Sequence, residues 1–121
     1  MATTPPQLSL LVLRSPDMER AVTFYRALGL EFTLHAHGTG PQHYTAEMGA
    51  LVFEIYPQTA KSSPTTGTRI GFSVASLDEA VQSLSQIDAV IMTPPTESEW
   101  GRRAVVKDFD GHTVELVESK K

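Results

Sequence analysis

An internal repeat is the feature of this sequence that most constrains its fold. The stretch "LLVLRSPDMERAVTFYRALGL" (residues 10–30) lies over "RIGFSVASLDEAVQSLSQIDA" (residues 69–89) at an offset of 59 residues. Near the ends of the two halves, "FEIY" (residues 53–56) lies over "VELV" (residues 114–117) at an offset of 61. A repeat of this length indicates that one supersecondary unit occurs twice.

Each half of the repeat begins with an apolar strand and continues into an amphipathic helix. Ser15 with Pro16 predicts the start of the first helix, and Gly29 predicts its end. Ser76 and Glu79 have the spacing of a capping box at the start of the second helix. Three strand-like segments follow each helix, and a short turn that contains glycine joins the last two. The predicted order of elements is therefore βαβββ, twice.

The chain is predicted to form a single domain, residues 1–121, because this length suits one compact unit with a sizeable core. Module one covers about residues 7–57, and module two covers residues 68–119. The segment between them, residues 58–67, is polar and contains a proline, which is typical of a linker.

Composition and charge exclude several classes of function. The net charge of −4 and the lack of Lys or Arg runs argue against nucleic-acid binding. Because cysteine is absent, disulfides and thiolate metal sites are excluded. The opening "MATTPPQ" lacks the features of a signal peptide, and no apolar run approaches the about 20 residues of a membrane span. We expect a cytoplasmic protein that binds neither nucleic acid nor membrane.

Side chains alternate across a strand, which divides each predicted sheet into a uniformly apolar face and a mixed face. The apolar faces should cover the helices. On the mixed face, Gly71 and Ser73 are small enough to leave room for a ligand, although a face in contact with solvent explains the pattern equally well. The mixed face also holds four positions that the repeat relates in pairs: Leu10 with Arg69, and Glu54 with Glu115.

The chain resembles the vicinal-oxygen-chelate superfamily, which includes glyoxalase I, extradiol dioxygenases, fosfomycin-resistance enzymes and bleomycin-resistance proteins. "SPDMERAVTFYRALGLEF" resembles its first strand-to-helix signature, and "VVKDFDGHTVELVE" resembles its C-terminal hairpin. The resemblance covers nearly the whole chain. It implies an α+β fold in which two tandem βαβββ modules form a cup-shaped, half-barrel mixed sheet, often completed by a homodimer.

The resemblance also implies where a metal would bind. Metal-dependent members draw histidine, glutamine or glutamate ligands from positions that correspond to Leu10, Glu54, Arg69 and Glu115. The two glutamates fit this pattern, but Leu10 has no donor atom and Arg69 is a permanent cation. We therefore expect no cofactor. A divalent metal held by the two carboxylates and waters is the disfavoured alternative.

Arg69 suggests a hypothesis in which its guanidinium replaces the metal and bridges Glu54 and Glu115, since a planar fork suits carboxylates. Two alternatives remain open. The charges are exposed to solvent, or Arg69 receives an anionic ligand.

The histidines offer a second candidate metal site. His35 and His37 share one face of a strand, and His43 with Glu47 could add a ligand. The alternative is that these histidines are solvated at a sheet edge. His112 follows the Asp110–Gly111 turn and is expected to be exposed.

Trp100 lies in "PPTESEWGRR", which is predicted to be a proline-rich loop before the seventh strand. In the family such a loop can cover the mouth of the cup, where an aromatic ring could stack on a ligand. The alternative is a tryptophan at the surface or at a dimer contact. Tyr56, Arg102 and Arg103 are secondary lining candidates.

The sequence therefore favours a metal-independent small-molecule binding protein, similar to the bleomycin-resistance branch and expected to be a homodimer. The alternative is a metal-dependent lyase or dioxygenase-like enzyme with a rearranged site, in which Glu54 or Glu115 is a general base. A structural dimer without a ligand is a third possibility. Typical glyoxalase I activity is not expected. The ligand-binding candidates are Leu10, Glu54, Tyr56, Arg69, Ser73, Trp100, Arg103 and Glu115.

Overall fold

The computed structural model describes residues 4–36 and 38–119. It has the predicted α+β fold, with two four-stranded mixed sheets and two helices in these residues. In chain order the elements are β1 (Leu10–Ser15), α1 (Met18–Ala27), β2 (Thr33–His35), β3 (His43–Met48), β4 (Leu51–Pro57), β5 (Arg69–Val74), α2 (Leu77–Gln86), β6 (Val90–Ser98), β7 (Gly101–Lys107) and β8 (Thr113–Ser119).

The sequence repeat is also a repeat of sheet topology. Sheet one has the strand order β1-β4-β3-β2, and sheet two has the order β5-β8-β7-β6. In each sheet the first and last strands of the module pair in parallel, and the remaining pairs are antiparallel. Leu10 pairs with Val52 in sheet one as Arg69 pairs with Thr113 in sheet two. The two offsets found in the sequence therefore map one register onto the other.

Each helix begins at a side-chain cap. Asp17 caps α1, so the start predicted at Ser15 and Pro16 was too early. Ser15 is the last residue of β1, and its hydroxyl oxygen accepts a hydrogen bond from the Asp17 N–H instead. Ser76 caps α2 as predicted, accepting from the Glu79 N–H at 3.3 Å.

Both helices end in the same backbone motif. Gly29 follows α1 with a φ of 106°, and Asp88 follows α2 at the equivalent position with a φ of 61°. In both, the N–H of the next residue reaches back to the carbonyl five residues earlier, at 3.1 and 3.0 Å. This is the Schellman motif, whose left-handed residue suits glycine and strains any residue with a Cβ.

One apolar core spans both modules. Tyr25 of α1 is fully buried, and its ring meets Phe53 of module one at 5.0 Å and Phe72 of module two at 6.1 Å between centroids. Phe24 meets Phe109 of module two at 5.9 Å. Five residues of the predicted apolar faces are buried in this core: Leu13, Phe53, Ile55, Val114 and Leu116.

A buried polar network joins the modules at the β7–β8 turn. Asp108 accepts hydrogen bonds from the Tyr25 hydroxyl at 2.6 Å and from Nδ1 of His112 at 2.7 Å. Nε2 of His112 lies 2.7 Å from the hydroxyl of Thr65 in the linker, which in turn accepts from the Arg14 N–H of β1. Burial alone would raise the pKa of Asp108, but the bonds from His112 and Tyr25 outweigh it and lower that pKa.

The prediction that His112 is exposed was therefore wrong, because its side chain is only 1% exposed. The turn is wider than a two-residue hairpin: the His112 N–H and the Asp110 N–H both bond to Asp108, which folds the imidazole inward. A glycine at position 111, with a φ of 91°, allows this path.

The prediction of a proline-rich loop before Trp100 was also wrong, because most of this segment is a strand. Pro94 and Pro95 lie inside β6, which extends to Ser98 and pairs with β7 through two register shifts. Prolines fit here because β6 is the edge of sheet two. Trp100 instead occupies the tight turn between β6 and β7, where it is 67% exposed. Neither helix in the described part of the chain could cross a bilayer.

Candidate functional site: two open sheet faces

Each sheet has a face turned away from the helices, and these two faces hold the predicted site residues other than Trp100. We call them open face one, which carries His43, Thr45 and Glu54, and open face two, which carries Arg69 and Glu115 with Arg103. The alternation along β4 and β8 creates both faces, since buried apolar residues flank each glutamate.

On open face one, Glu54 is held by two neighbours on β3. Its Oε2 accepts a hydrogen bond from the Thr45 hydroxyl at 2.9 Å and lies 3.3 Å from Nε2 of His43. The His43 ring is buried and stacks on Tyr56, with centroids 4.3 Å apart and planes 4° apart. The guanidinium of Arg14 lies over the Tyr56 ring at 5.2 Å. Tyr56 is therefore packed between neighbours, which limits its contact with a ligand.

A pocket of about 450 Å³ lies beside Glu54 on open face one. Its lining contains three carboxylates and neither lysine nor arginine, so its field favours positively charged groups. All of its lining residues come from module one: Glu31, Thr33, His35, Thr45, Glu47 and Glu54.

On open face two, Glu115 is held by two arginines. Nη2 of Arg69 donates to Oε1 of Glu115 at 2.7 Å, and Nη2 of Arg103 contacts the same oxygen. The hydrogen bonds from Arg69 and Arg103 lower the pKa of Glu115. Two guanidinium groups and one carboxylate leave this trio with one positive charge.

His43 and Arg103 occupy equivalent positions in the two modules. His43 is the residue before Tyr44, which pairs with Ile55, and Arg103 precedes Ala104, which pairs with Leu116. Each contacts the glutamate of its own sheet. The contact between His43 and Glu54 was not predicted from the sequence, because it depends on the register of β3 against β4.

The hypothesis that Arg69 bridges both glutamates was correct for Glu115 and wrong for Glu54. In the described residues, Arg69 forms its ion pair with Glu115 alone. The reason is that Leu10 and Glu54 lie in sheet one, whereas Arg69 and Glu115 lie in sheet two. Leu10 is 51% exposed at the outer edge of sheet one.

The remaining predicted residues lie apart from these contacts. Ser73 is exposed on the edge strand β5, and Trp100 lies in the β6–β7 turn. Arg102 alternates with Arg103 along β7 and bonds to both carboxylate oxygens of Asp78, at 3.1 and 3.2 Å, so it does not belong to open face two.

The candidate histidine metal site is described only in part, because His37 lies outside the described residues. His35 pairs with His43 across β2 and β3, and their rings lie 6.1 Å apart. Within residues 4–36 and 38–119, no group of three or more histidine, aspartate or glutamate side chains is arranged to hold a metal ion.

Comparison with known proteins places this geometry in a family. The sequence profile of the Glyoxalase/Bleomycin resistance protein/Dioxygenase superfamily matches residues 7–116. The chain belongs to this superfamily. No curated protein sequence matches the chain.

Several solved structures share the fold of this chain. TnmS3, an antibiotic-binding protein from Streptomyces sp. CB03234, is similar with a TM-score of 0.79 at 17% identity, covering 98% of this chain and 100% of that one. A glyoxylase/bleomycin resistance protein/dioxygenase domain from Frankia sp. EAN1pec gives 0.78 at 16% identity, covering 97% and 100%. TioX from Micromonospora sp. ML1 gives 0.73 at 21% identity, covering 95% and 100%. At these identities the likeness shows the fold alone.

The side chains at the superfamily's four metal positions do not fit a metal. Leu10 has no donor atom, and Arg69 brings a fixed positive charge to the position where a ligand would stand. Two guanidinium groups contact Oε1 of Glu115, and their positive charges would repel a cation at this carboxylate.

Proposed function

We propose that this chain is a metal-independent small-molecule binding protein whose ligand lies against the open faces. The observation that carries this proposal is the trio of Arg69, Glu115 and Arg103. It supplies fixed charge and hydrogen-bond donors at the positions where metal-dependent relatives hold a metal.

Two further observations support binding of a small molecule. The pocket beside Glu54 has a volume in the usual range of ligand sites, about 300–1,000 Å³. TnmS3 shares the fold and is described as an antibiotic-binding protein.

A homodimer is part of the proposal. Each open face is one wall without an opposite wall in the same module, and β1 and β5 are both edge strands. A second copy that sets its open face two against open face one would bring a positively charged trio toward three carboxylates. Cytoplasmic location also stays a prediction.

The alternative of an enzyme with Glu115 as general base has less support. A general base that acts near neutral pH needs a raised pKa, whereas Arg69 and Arg103 lower the pKa of Glu115.

The first experiment is elemental analysis of the purified, untagged protein, followed by melting curves with Ni²⁺, Zn²⁺, Mn²⁺ or Fe²⁺. We expect less than stoichiometric metal and an unchanged Tm, because a ligand that binds only the native state would raise it. The double variant Leu10→His/Arg69→His is the matched control, since it places a donor at all four positions and should gain a response to metal.

Near-stoichiometric metal in the wild type, with stabilisation that disappears in Glu115→Ala, would overturn the proposal and support the enzyme. Melting curves with a panel of small aromatic and cationic compounds then test binding directly. A compound that raises the Tm of the wild type but not of Glu54→Gln would locate its site on open face one.

A further inference from the structure

A second pocket, of about 490 Å³, lies where the two modules meet. It shares no lining residue with the acidic pocket of open face one. Module one contributes the start of β1, the β3–β4 turn and Phe53, and module two contributes the edge strand β5 with Thr68. We call it the junction pocket.

The walls of the junction pocket are mainly apolar. They include Leu8, Leu11, Leu51, Phe53, Ile70 and Phe72. The rings of Phe53 and Phe72 meet across the junction with centroids 6.2 Å apart. A concave pocket with apolar walls and few polar groups is typical of small-molecule sites, whereas a surface that docks on another protein is flatter.

Arg69 is the single charged residue that lines this pocket in the described chain. Its side chain is 55% exposed, and its hydrogen bond to Glu115 occupies one nitrogen of the guanidinium. Most of its N–H donors therefore remain for another acceptor. Because Arg103 also contacts Glu115, the trio keeps a net positive charge beside the pocket.

We propose that the junction pocket binds a small amphipathic anion, with its apolar body against the walls formed by Leu11, Leu51 and Ile70 and its carboxylate or sulfonate on Arg69. The apolar area would provide most of the affinity, and the charge-assisted hydrogen bonds to Arg69 would fix the orientation. The junction pocket shares Arg69 with open face two but has no lining residue in common with the acidic pocket, so the proposal stands whether or not open face one binds a ligand.

The experiment uses two fluorescent probes of similar shape, titrated into the full chain with direct excitation of the probe. 1-Anilinonaphthalene-8-sulfonate carries a negative charge, and N-phenyl-1-naphthylamine is its neutral counterpart. We expect both to bind the folded wild type. In Arg69→Met the sulfonate should bind about tenfold more weakly, as expected for loss of a charge-assisted hydrogen bond, while the neutral probe keeps its affinity.

A variant whose bulkier side chain fills the junction pocket should no longer bind either probe. Leu51→Trp places a bulky ring against one wall, and Thr33→Trp adds a ring of the same size in the acidic pocket as the matched control. We expect loss of binding in the first variant and unchanged binding in the second. If Leu51→Trp does not fold by circular dichroism, Ile70→Phe fills the pocket from the opposite wall.

Three results would overturn the proposal. In the first, the sulfonate binds Leu51→Trp with the same affinity as the wild type. In the second, Arg69→Met lowers the affinity for both probes equally. In the third, sedimentation shows that Leu51→Trp changes the oligomeric state, which means that a second copy covers the pocket. Metal analysis and the response of Glu54→Gln do not bear on these results, so failure here is distinguishable from failure of the proposed function.

Discussion

The two open faces are built by one structural repeat, yet they carry opposite charge. Open face one surrounds Glu54 with a histidine, a threonine and two further carboxylates in the adjoining pocket. Open face two surrounds Glu115 with two arginines. The backbone registers of the two sheets match, so the difference lies in the side chains at equivalent positions. A shared fold therefore fixes where side chains stand and leaves their chemistry free to differ.

A second difference between the halves lies at the β7–β8 turn, which carries a buried polar network. Asp108 is buried there and bonded to His112 and Tyr25, whereas Met48 holds the equivalent position in module one and the carboxylate beside it, Glu47, is exposed. We expect Asp108→Ala to lower the free energy of unfolding by about 3 kcal/mol, because two buried donors lose their acceptor. Urea unfolding measures this change. Glu47→Ala is the matched control, and an equal loss in both variants would contradict the comparison.

The same carboxylate should make the protein sensitive to acid. Because the folded pKa of Asp108 is lowered, its contribution is fully present above the unfolded pKa of about 3.9 and is lost as pH falls through the lower folded value. Urea unfolding between pH 5 and about pH 2 should show this loss in the wild type and a smaller one in Asp108→Asn.

At the C-terminal ends of the two helices, module one has the more favourable residue. Gly29→Ala should cost about 1 kcal/mol, because a Cβ is strained at a φ of 106°. Asp88→Gly should gain about 0.5–1 kcal/mol by removing the same kind of strain from α2. Thermal unfolding of both variants tests this pair. If Asp88→Gly lowers the Tm, the equivalence of the two helix ends does not hold.

The smallest expected effect is a change in the pKa of Glu115. Arg103→His gives open face two the residue that open face one has at this position. We expect the pKa of Glu115 to rise toward its ordinary value, since one of its two guanidinium partners is lost. An NMR titration of the glutamate carboxyl carbons measures this change. Arg102→His, whose partner is Asp78, should leave the pKa of Glu115 unaltered.

The sequence predicted the fold better than the site, for a physical reason. Apolar periodicity, the cap at Ser76 and the repeat report local structure, and each was confirmed. The contact of Glu54 with His43 was not predicted, because a cross-strand contact depends on the pairing register of the strands, which cannot be derived from the sequence alone. His112 was misjudged since polar residues after a turn are usually exposed, whereas its hydrogen bonds to Asp108 and Thr65 make its burial favourable. Pro94 and Pro95 signalled a loop, although an edge strand accepts them.

The hydrogen bond from Tyr25 to Asp108 has a consequence for how the duplicated chain can be divided. The donor belongs to the first half and the acceptor to the second, and Phe53 and Phe72 form a core between them. Separated halves would each expose half of that core and leave a buried polar group unmatched. When a protease cuts the linker, the two fragments should therefore remain associated and melt in a single transition. The contacts between the two halves therefore predict that the repeated units unfold as one cooperative body.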